Sequence, residues 1–322
     1  MKPKIYIARQ IPTVVEEYIG QYCDYEKFEG EGRPSQDELY SKIHDKDGLL
    51  LAGINVDKGL LDSAPNLKVV SNISVGYNNF DINAMKERNI IGTNTPGVLN
   101  DTVADLIFAL ILSTARKVAF LDRYVKDGKW SVTDAKELFG KDVHHSTLGI
   151  IGMGRIGEDV AKRAIYGFDM DVLYYNRSKK LQAEEKLGVK YADLNTLLGQ
   201  SDYVLIMTAL TDETYHMIDE EQFNLMKKDA IFINASRGST VNEKALIKAL
   251  EEKKILAAGL DVYEQEPIYK DNPLLKLNNV VLLPHIGSAT EKTRSDMAML
   301  AAQNLIKALQ GEVPPNIVPE LK

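Results

Sequence analysis

The stretch TLGIIGMGRIGEDVAKRA, residues 147–164, constrains this chain more than any other. An apolar run of strand length ends in three glycines spaced G-x-G-x-x-G, at Gly152, Gly154 and Gly157, and passes directly into a helical pattern. The first glycine permits the tight turn, the second lets backbone approach a pyrophosphate, and the third lets helix and strand pack closely. The helix start, which includes Arg155 and Ile156, offers unpaired N–H groups and the positive end of a dipole to phosphates. Such a strand, turn and helix belong to a doubly wound α/β sheet that binds a dinucleotide.

The rest of the chain keeps the same rhythm. After residue 147 the apolar runs LGIIG, VLYY, YVLIM, AIFIN, AAGLDV and VVLLP alternate with helical or loop segments. Runs this continuous fit parallel strands buried on both faces. The first hundred residues alternate likewise, through IYI, GLLL and VVSNI, and the turn-rich TNTPGVLND marks a boundary near residue 100. From Asp101 the stretch TVADLIFALILSTARKVAFLDRYV is apolar nearly all round and predicts one long buried helix. A chain of 322 residues exceeds what one core usually serves, so two domains are expected. The net charge of −7 argues against nucleic-acid or anionic-membrane partners, and a small molecule is expected instead. One cysteine, Cys23, cannot close an internal disulfide, and MKPKIYIARQ has no signal-peptide core, so the cytoplasm is the expected location. No apolar run approaches the roughly 18 residues of a membrane span.

The second nucleotide strand ends in YYNRSKK, where an acid would accept hydrogen bonds from the ribose of NAD. Asn176, Arg177 and Ser178 stand there instead. A neutral residue removes the repulsion against a 2′-phosphate and Arg177 offers charge-assisted donors, so NADP(H) is the expected cofactor, with NAD(H) use still open. A solvated basic loop would look the same. Arg237 in NASRG, Glu266 in VYEQEP and His285 in LPHIGSAT each follow a predicted strand. Together they hold what reduction of a 2-oxo acid needs: a fork for a carboxylate, a proton donor, and an anion that keeps the donor charged. Singly, each reads as an ordinary loop residue. The pattern calls for no metal.

The motifs SVGYNNFD, TNTPGVLNDTVAD, GIIGMGRIG, NASRG, GLDVYEQEP and PHIGSAT occur in the order and spacing of the D-isomer-specific 2-hydroxyacid dehydrogenase family, which the chain resembles along nearly its whole length. The resemblance implies that Arg237 binds substrate, that His285 is the acid/base with Glu266 as partner, and that Asp261 contacts the nicotinamide carboxamide. It also implies a carboxylate cradle at Val75 and Gly76. The implied fold is two Rossmann-like domains: a discontinuous, flavodoxin-like substrate domain of residues 1–98 plus 287–322 and a cofactor domain of 99–286 that carries a homodimer interface. Within the family the Asn-Arg-Ser turn resembles NADP(H)-using glyoxylate/hydroxypyruvate reductases, a group that includes 2-ketogluconate reductases. Some proteins of this fold are instead nucleotide-sensing corepressors. Two departures bear on loop geometry: Asn79, where many relatives have an acid, and KDVHHSTLG before the first nucleotide strand.

Overall fold

A computed structural model describes residues 1–131 and 135–322. The chain divides into two compact units, Met1–Leu99 with Ala289–Lys322, and Asn100–Ser288. Both are built on parallel sheets, as the alternating pattern predicts.

The first unit holds β1 (Lys4–Ile7), β2 (Asp24–Lys27), β3 (Gly48–Leu51), β4 (Val69–Asn72) and β5 (Ile91–Thr93), in the order β2-β1-β3-β4-β5. This is the flavodoxin-like order. Strands β3 and β4 are buried along their whole length. Each aliphatic residue there contributes roughly 1.5–3 kcal/mol when fully buried, which is why β3 reads as an unbroken apolar run, while β4 ends in the buried polar Ser71 and Asn72. The helix Glu291–Leu309 packs on this sheet: its Ala301 carbonyl accepts from Ser71 Oγ at 2.7 Å. The tail beyond it joins the sheet edge, where Val318 N–H donates to Gly92 O.

The second unit holds β6 (Thr147–Ile151), β7 (Asp171–Tyr175), β8 (Lys190–Tyr191), β9 (Tyr203–Ile206), β10 (Ile231–Asn234), β11 (Ala257–Leu260) and β12 (Val280–Leu282). Their order, β12-β11-β10-β9-β6-β7-β8, is doubly wound with the chain reversing beside β6. The glycine-rich turn follows β6 at that reversal, where such sheets open a crevice.

One expectation is corrected here. The long helix predicted from Asp101 is two helices, Asn100–Ala115 and Val118–Lys126. Lys117 between them is left-handed, at φ 55°, and Lys141 N–H donates to the Ala115 carbonyl that a continuing helix would use. Since no Gly or Pro lies between residues 101 and 127, nothing local marks the break. A segment some twenty-five residues downstream, docking on the helix end, sets it.

The two departures also find their place. Asn79 Nδ2 donates to Ile54 O at 2.7 Å while its Oδ1 accepts from Asn72 Nδ2 at 3.1 Å, two roles that an ionised acid at this position cannot combine. In KDVHHSTLG, His145 is left-handed and its N–H donates to Phe168 O, so the segment closes the turn before β6 without glycine. We predict that Asn79→Asp, which sets a carboxylate against the Ile54 carbonyl, destabilises the protein by about 1–3 kcal/mol. Thermal denaturation should register a Tm several degrees lower, and an unchanged Tm would remove Asn79 from this role.

Candidate active site

Strands β10, β11 and β12 are neighbours in register, so the loops leaving their carboxyl ends lie side by side. Arg237 follows β10, Glu266 follows β11 and His285 follows β12. Parallel pairing thus collects three residues that are far apart in sequence.

The β10 loop is locked by its own bonds. Asn234 Oδ1 accepts from Ser236 N and Oγ, and the Arg237 carbonyl accepts from Asn234 Nδ2 and Thr240 Oγ1. Gly238, which the motif reading passed over, decides how closely this loop meets the next. A Cβ there would fall on the Tyr263 carbonyl carbon and oxygen, so only glycine lets the two loops touch. Arg237 Nη1 donates to Ser236 O at 2.7 Å. Burial lowers its pKa and the Glu266 charge pulls it back up; the guanidinium keeps its charge, as arginine does in proteins.

Glu266 is held at both oxygens. Oε1 accepts from Tyr263 N–H at 3.1 Å, and Oε2 lies 2.6 Å from His285 Nδ1. Burial raises the carboxyl's pKa, but the His285 hydrogen bond and charge, the Tyr263 N–H and the Arg237 charge together outweigh it and hold it below the ordinary value. An ionised carboxylate only accepts, so Nδ1 carries the hydrogen and Nε2 is the nitrogen left for a reacting group. The imidazole is about half exposed, at 47%.

His285 itself is left-handed, at φ 53°, a conformation that costs a residue with a side chain roughly 1–2 kcal/mol. Asp261 holds the turn that imposes it. Buried at 1% exposure, its Oδ1 and Oδ2 accept from Ile286 N–H and Gly287 N–H, each at 2.8 Å. Two hydrogen bonds to a carboxylate, about 1.5–3 kcal/mol each, exceed the strain. Burial raises the Asp261 pKa, offset in part by these N–H groups and His285.

At the glycine turn, Gly152 sits at φ +105°, and a Cβ there would lie 2.7 Å from the Met207 carbonyl group. The helix Arg155–Phe168 starts at Gly154 without a side-chain cap, and no atom lies within 4 Å of where a Gly154 Cβ would be. Orphan N–H groups above open space suit a pyrophosphate. The loop after β7 is anchored by buried Tyr174, a residue the sequence reading used only as strand. Its hydroxyl accepts from Lys180 N–H at 2.7 Å and donates to Glu184 at 2.6 Å. Asn176 Nδ2 donates to Ser178 O, and Lys179 lies over the Tyr191 ring. Arg177 and Ser178 are exposed.

In the first unit, the carbonyls of Ser74, Val75 and Gly76 accept from Thr95 N–H, Asn94 Nδ2 and Asn72 Nδ2. A trans peptide points its N–H opposite its carbonyl, so tying these carbonyls to the body turns the N–H groups of Val75, Gly76 and Tyr77 away from it. Among the described residues, no group of three or more His, Cys, Asp or Glu is placed to hold a metal, and no helix is long and apolar enough to cross a membrane.

The family model for the NAD binding domain of D-isomer specific 2-hydroxyacid dehydrogenases matches residues 108–287. Over 318 residues the chain is 48% identical to glyoxylate/hydroxypyruvate reductase B of Yersinia pestis (strain Pestoides F), covering 99% of this chain and 98% of that protein. Among solved structures, a protein from Thermus thermophilus superposes with a TM-score of 0.91 at 38% identity, covering 98% of this chain and 99% of that one. An NADPH-dependent glyoxylate/hydroxypyruvate reductase from Sinorhizobium meliloti, in complex with NADP and malonate, does so with 0.87 at 30% identity, covering 100% and 98%.

The Glu266 carboxyl titrates below its unfolded value, so the stability it contributes is present above the ordinary carboxylate range and lost as pH falls through the depressed folded value. Urea denaturation of the parent and of Glu266→Gln across pH should therefore give a stability difference that shrinks toward acid. A difference that grows toward acid would contradict this pairing.

Proposed function

Because the chain belongs to the D-isomer specific 2-hydroxyacid dehydrogenase family, we propose that it reduces short 2-oxo acids such as glyoxylate and hydroxypyruvate to D-2-hydroxy acids, using NADPH and a proton from His285. Membership makes it an oxidoreductase with an NAD-binding domain. The finer reading rests on one observation above all, the 2.6 Å bond between His285 Nδ1 and Glu266 Oε2.

The cofactor, when bound, supplies hydride to the carbonyl carbon. Its pyrophosphate is assigned to the N–H groups from Gly154 through Arg155, Ile156 and Gly157, and its 2′-phosphate to Arg177, Ser178 and the neutral Asn176. Asp261, whose oxygens already accept from the turn beyond His285, is assigned to the carboxamide as well, each oxygen keeping a second lone pair.

His285 Nε2 holds the proton that goes to the carbonyl oxygen as negative charge develops there. Glu266 fixes the ring through Nδ1 and favours its charged form. The Arg237 fork orients the substrate carboxylate and draws charge toward the carbonyl. The outward N–H groups at Val75 and Gly76 are the carboxylate cradle of the first unit, which makes that unit the substrate domain and the second unit the cofactor domain. A cytoplasmic homodimer is the working state: Val118, Val125, Trp130 and Phe139 expose apolar surface on the second unit, and the one cysteine is buried and free.

NADPH oxidation with glyoxylate, followed by the loss of reduced-nicotinamide absorbance, tests the reading directly. His285→Gln should lower kcat about 10²–10⁴-fold while NADPH affinity is retained. A loss below tenfold in a folded variant would assign the proton elsewhere. Asn176→Asp with Arg177→Ala should move the NADPH/NADH ratio of kcat/KM at least ~10-fold toward NADH, since a charge-assisted bond is lost and a repulsion gained. An unmoved ratio would leave the loop merely basic.

A further inference from the structure

The chain beyond the helix Glu291–Leu309 returns to the loop that carries the proposed carboxylate cradle. Thr93 of β5 and Ile317 pair in an antiparallel bridge, with Asn94 N–H donating to Asn316 O at 3.1 Å and Val318 N–H to Gly92 O at 2.9 Å. The parallel sheet thus gains an antiparallel edge. Val318 is fully buried in the cluster that holds Phe80, Met85 and Ile90. A Cβ on Gly92 would stand 2.8 Å from Leu321 Cδ1, so glycine makes the room that the short turn Pro319–Leu321 fills. Pro314, Pro315 and Pro319 restrict this tail before it docks, which lowers the entropy lost on docking.

Burial of Val318 anchors the tail, but its polar contacts reach further. Asn94 is held by its N–H to Asn316 O and by its carbonyl, which accepts from Asn304 Nδ2 at 3.1 Å. With the main chain fixed there, the Asn94 side chain is aimed at the Val75 carbonyl, to which its Nδ2 donates at 2.7 Å. At the other end of the loop the Tyr77 hydroxyl donates between the two Glu320 oxygens, at 3.1 and 3.3 Å. Burial and the Glu320 charge raise the Tyr77 pKa, which keeps the hydroxyl protonated. Glu320 is exposed and adds nothing to the apolar core; what it holds is Tyr77. The loop is therefore fixed at Ser74 by Thr95, at Val75 by Asn94 and at Tyr77 by Glu320.

We propose that residues 316–321 position the loop of residues 74–77, with Asn94, the Tyr77 side chain and Glu320 as positioning residues. N–H groups set in place before a substrate arrives bind its anion without the cost of ordering them. Releasing the Tyr77 end adds that cost to substrate binding and leaves hydride and proton transfer, which other residues serve, as they were. This kinetic consequence rests on the reading that Val75 and Gly76 receive the substrate carboxylate.

Hydrogen exchange and kinetics on the full chain test the inference together. The Thr95 and Phe80 amides donate to Ser74 O and Tyr77 O, so their exchange reports release of the loop. In Glu320→Ala, and in Tyr77→Phe, which keeps the ring against Phe80, both amides should exchange ~3–10-fold faster. KM for glyoxylate should rise by a similar ~3–10-fold, which is what one hydrogen bond contributes. The kcat of Glu320→Ala and its NADPH affinity by calorimetry should stay at the parent values. Glu320→Gln keeps an acceptor for the hydroxyl and should restore most of both effects. Parent-like exchange in both Glu320→Ala and Tyr77→Phe, or a KM that rises without faster exchange, overturns the inference. Faster exchange with an unchanged KM upholds the tail's hold on the loop and contradicts instead the assignment of the substrate carboxylate to Val75 and Gly76.

Discussion

The Asp261 carboxylate, buried and accepting two consecutive backbone N–H groups, is the interaction on which the site of the second unit depends. A buried carboxylate is costly to strand and strong when satisfied, so it fixes the 286–287 peptides with more free energy than the left-handed His285 costs. With the backbone fixed, the imidazole is presented to Glu266. That carboxylate is fixed in turn by the Tyr263 N–H, on the loop that Gly238 allows to meet the Arg237 turn. Asp261, Glu266 and Tyr263 all leave the same strand end, so one loop orients the residues that follow its two neighbouring strands.

The same geometry recurs in the first unit with different chemistry. Parallel strands deliver their carboxyl ends to one edge, and the carbonyls of Ser74, Val75 and Gly76 are drawn inward by Thr95, Asn94 and Asn72. What is left outward is N–H. In each unit the sheet supplies rigidity and the loops supply polar groups, a division in which binding residues cost the core nothing.

Much of this was legible in the sequence because it was written in local pattern. Continuous apolar runs announced parallel strands, and the spacing of Gly152, Gly154 and Gly157 announced the nucleotide turn. Strand-end positions pointed to Arg237, Glu266 and His285, and the structure has the latter two hydrogen-bonded on neighbouring loops. What sequence withheld was set by distant partners. The helix break at Lys117 depends on Lys141, and the fit of two loops on a glycine that looked incidental beside its arginine and meets Tyr263.

An acid held by a carboxylate on a fixed turn delivers its proton from one direction only. On the proposed reaction, hydride reaches the carbonyl carbon from the face opposite that fixed acid, so the product is one enantiomer, and the D-isomer specificity of the family makes it the D form. Chiral chromatography of the glycerate formed from hydroxypyruvate and NADPH measures this most directly. The account predicts D-glycerate alone, in amounts equal to the NADPH consumed; L-glycerate, a racemate, or no consumption of NADPH would contradict it.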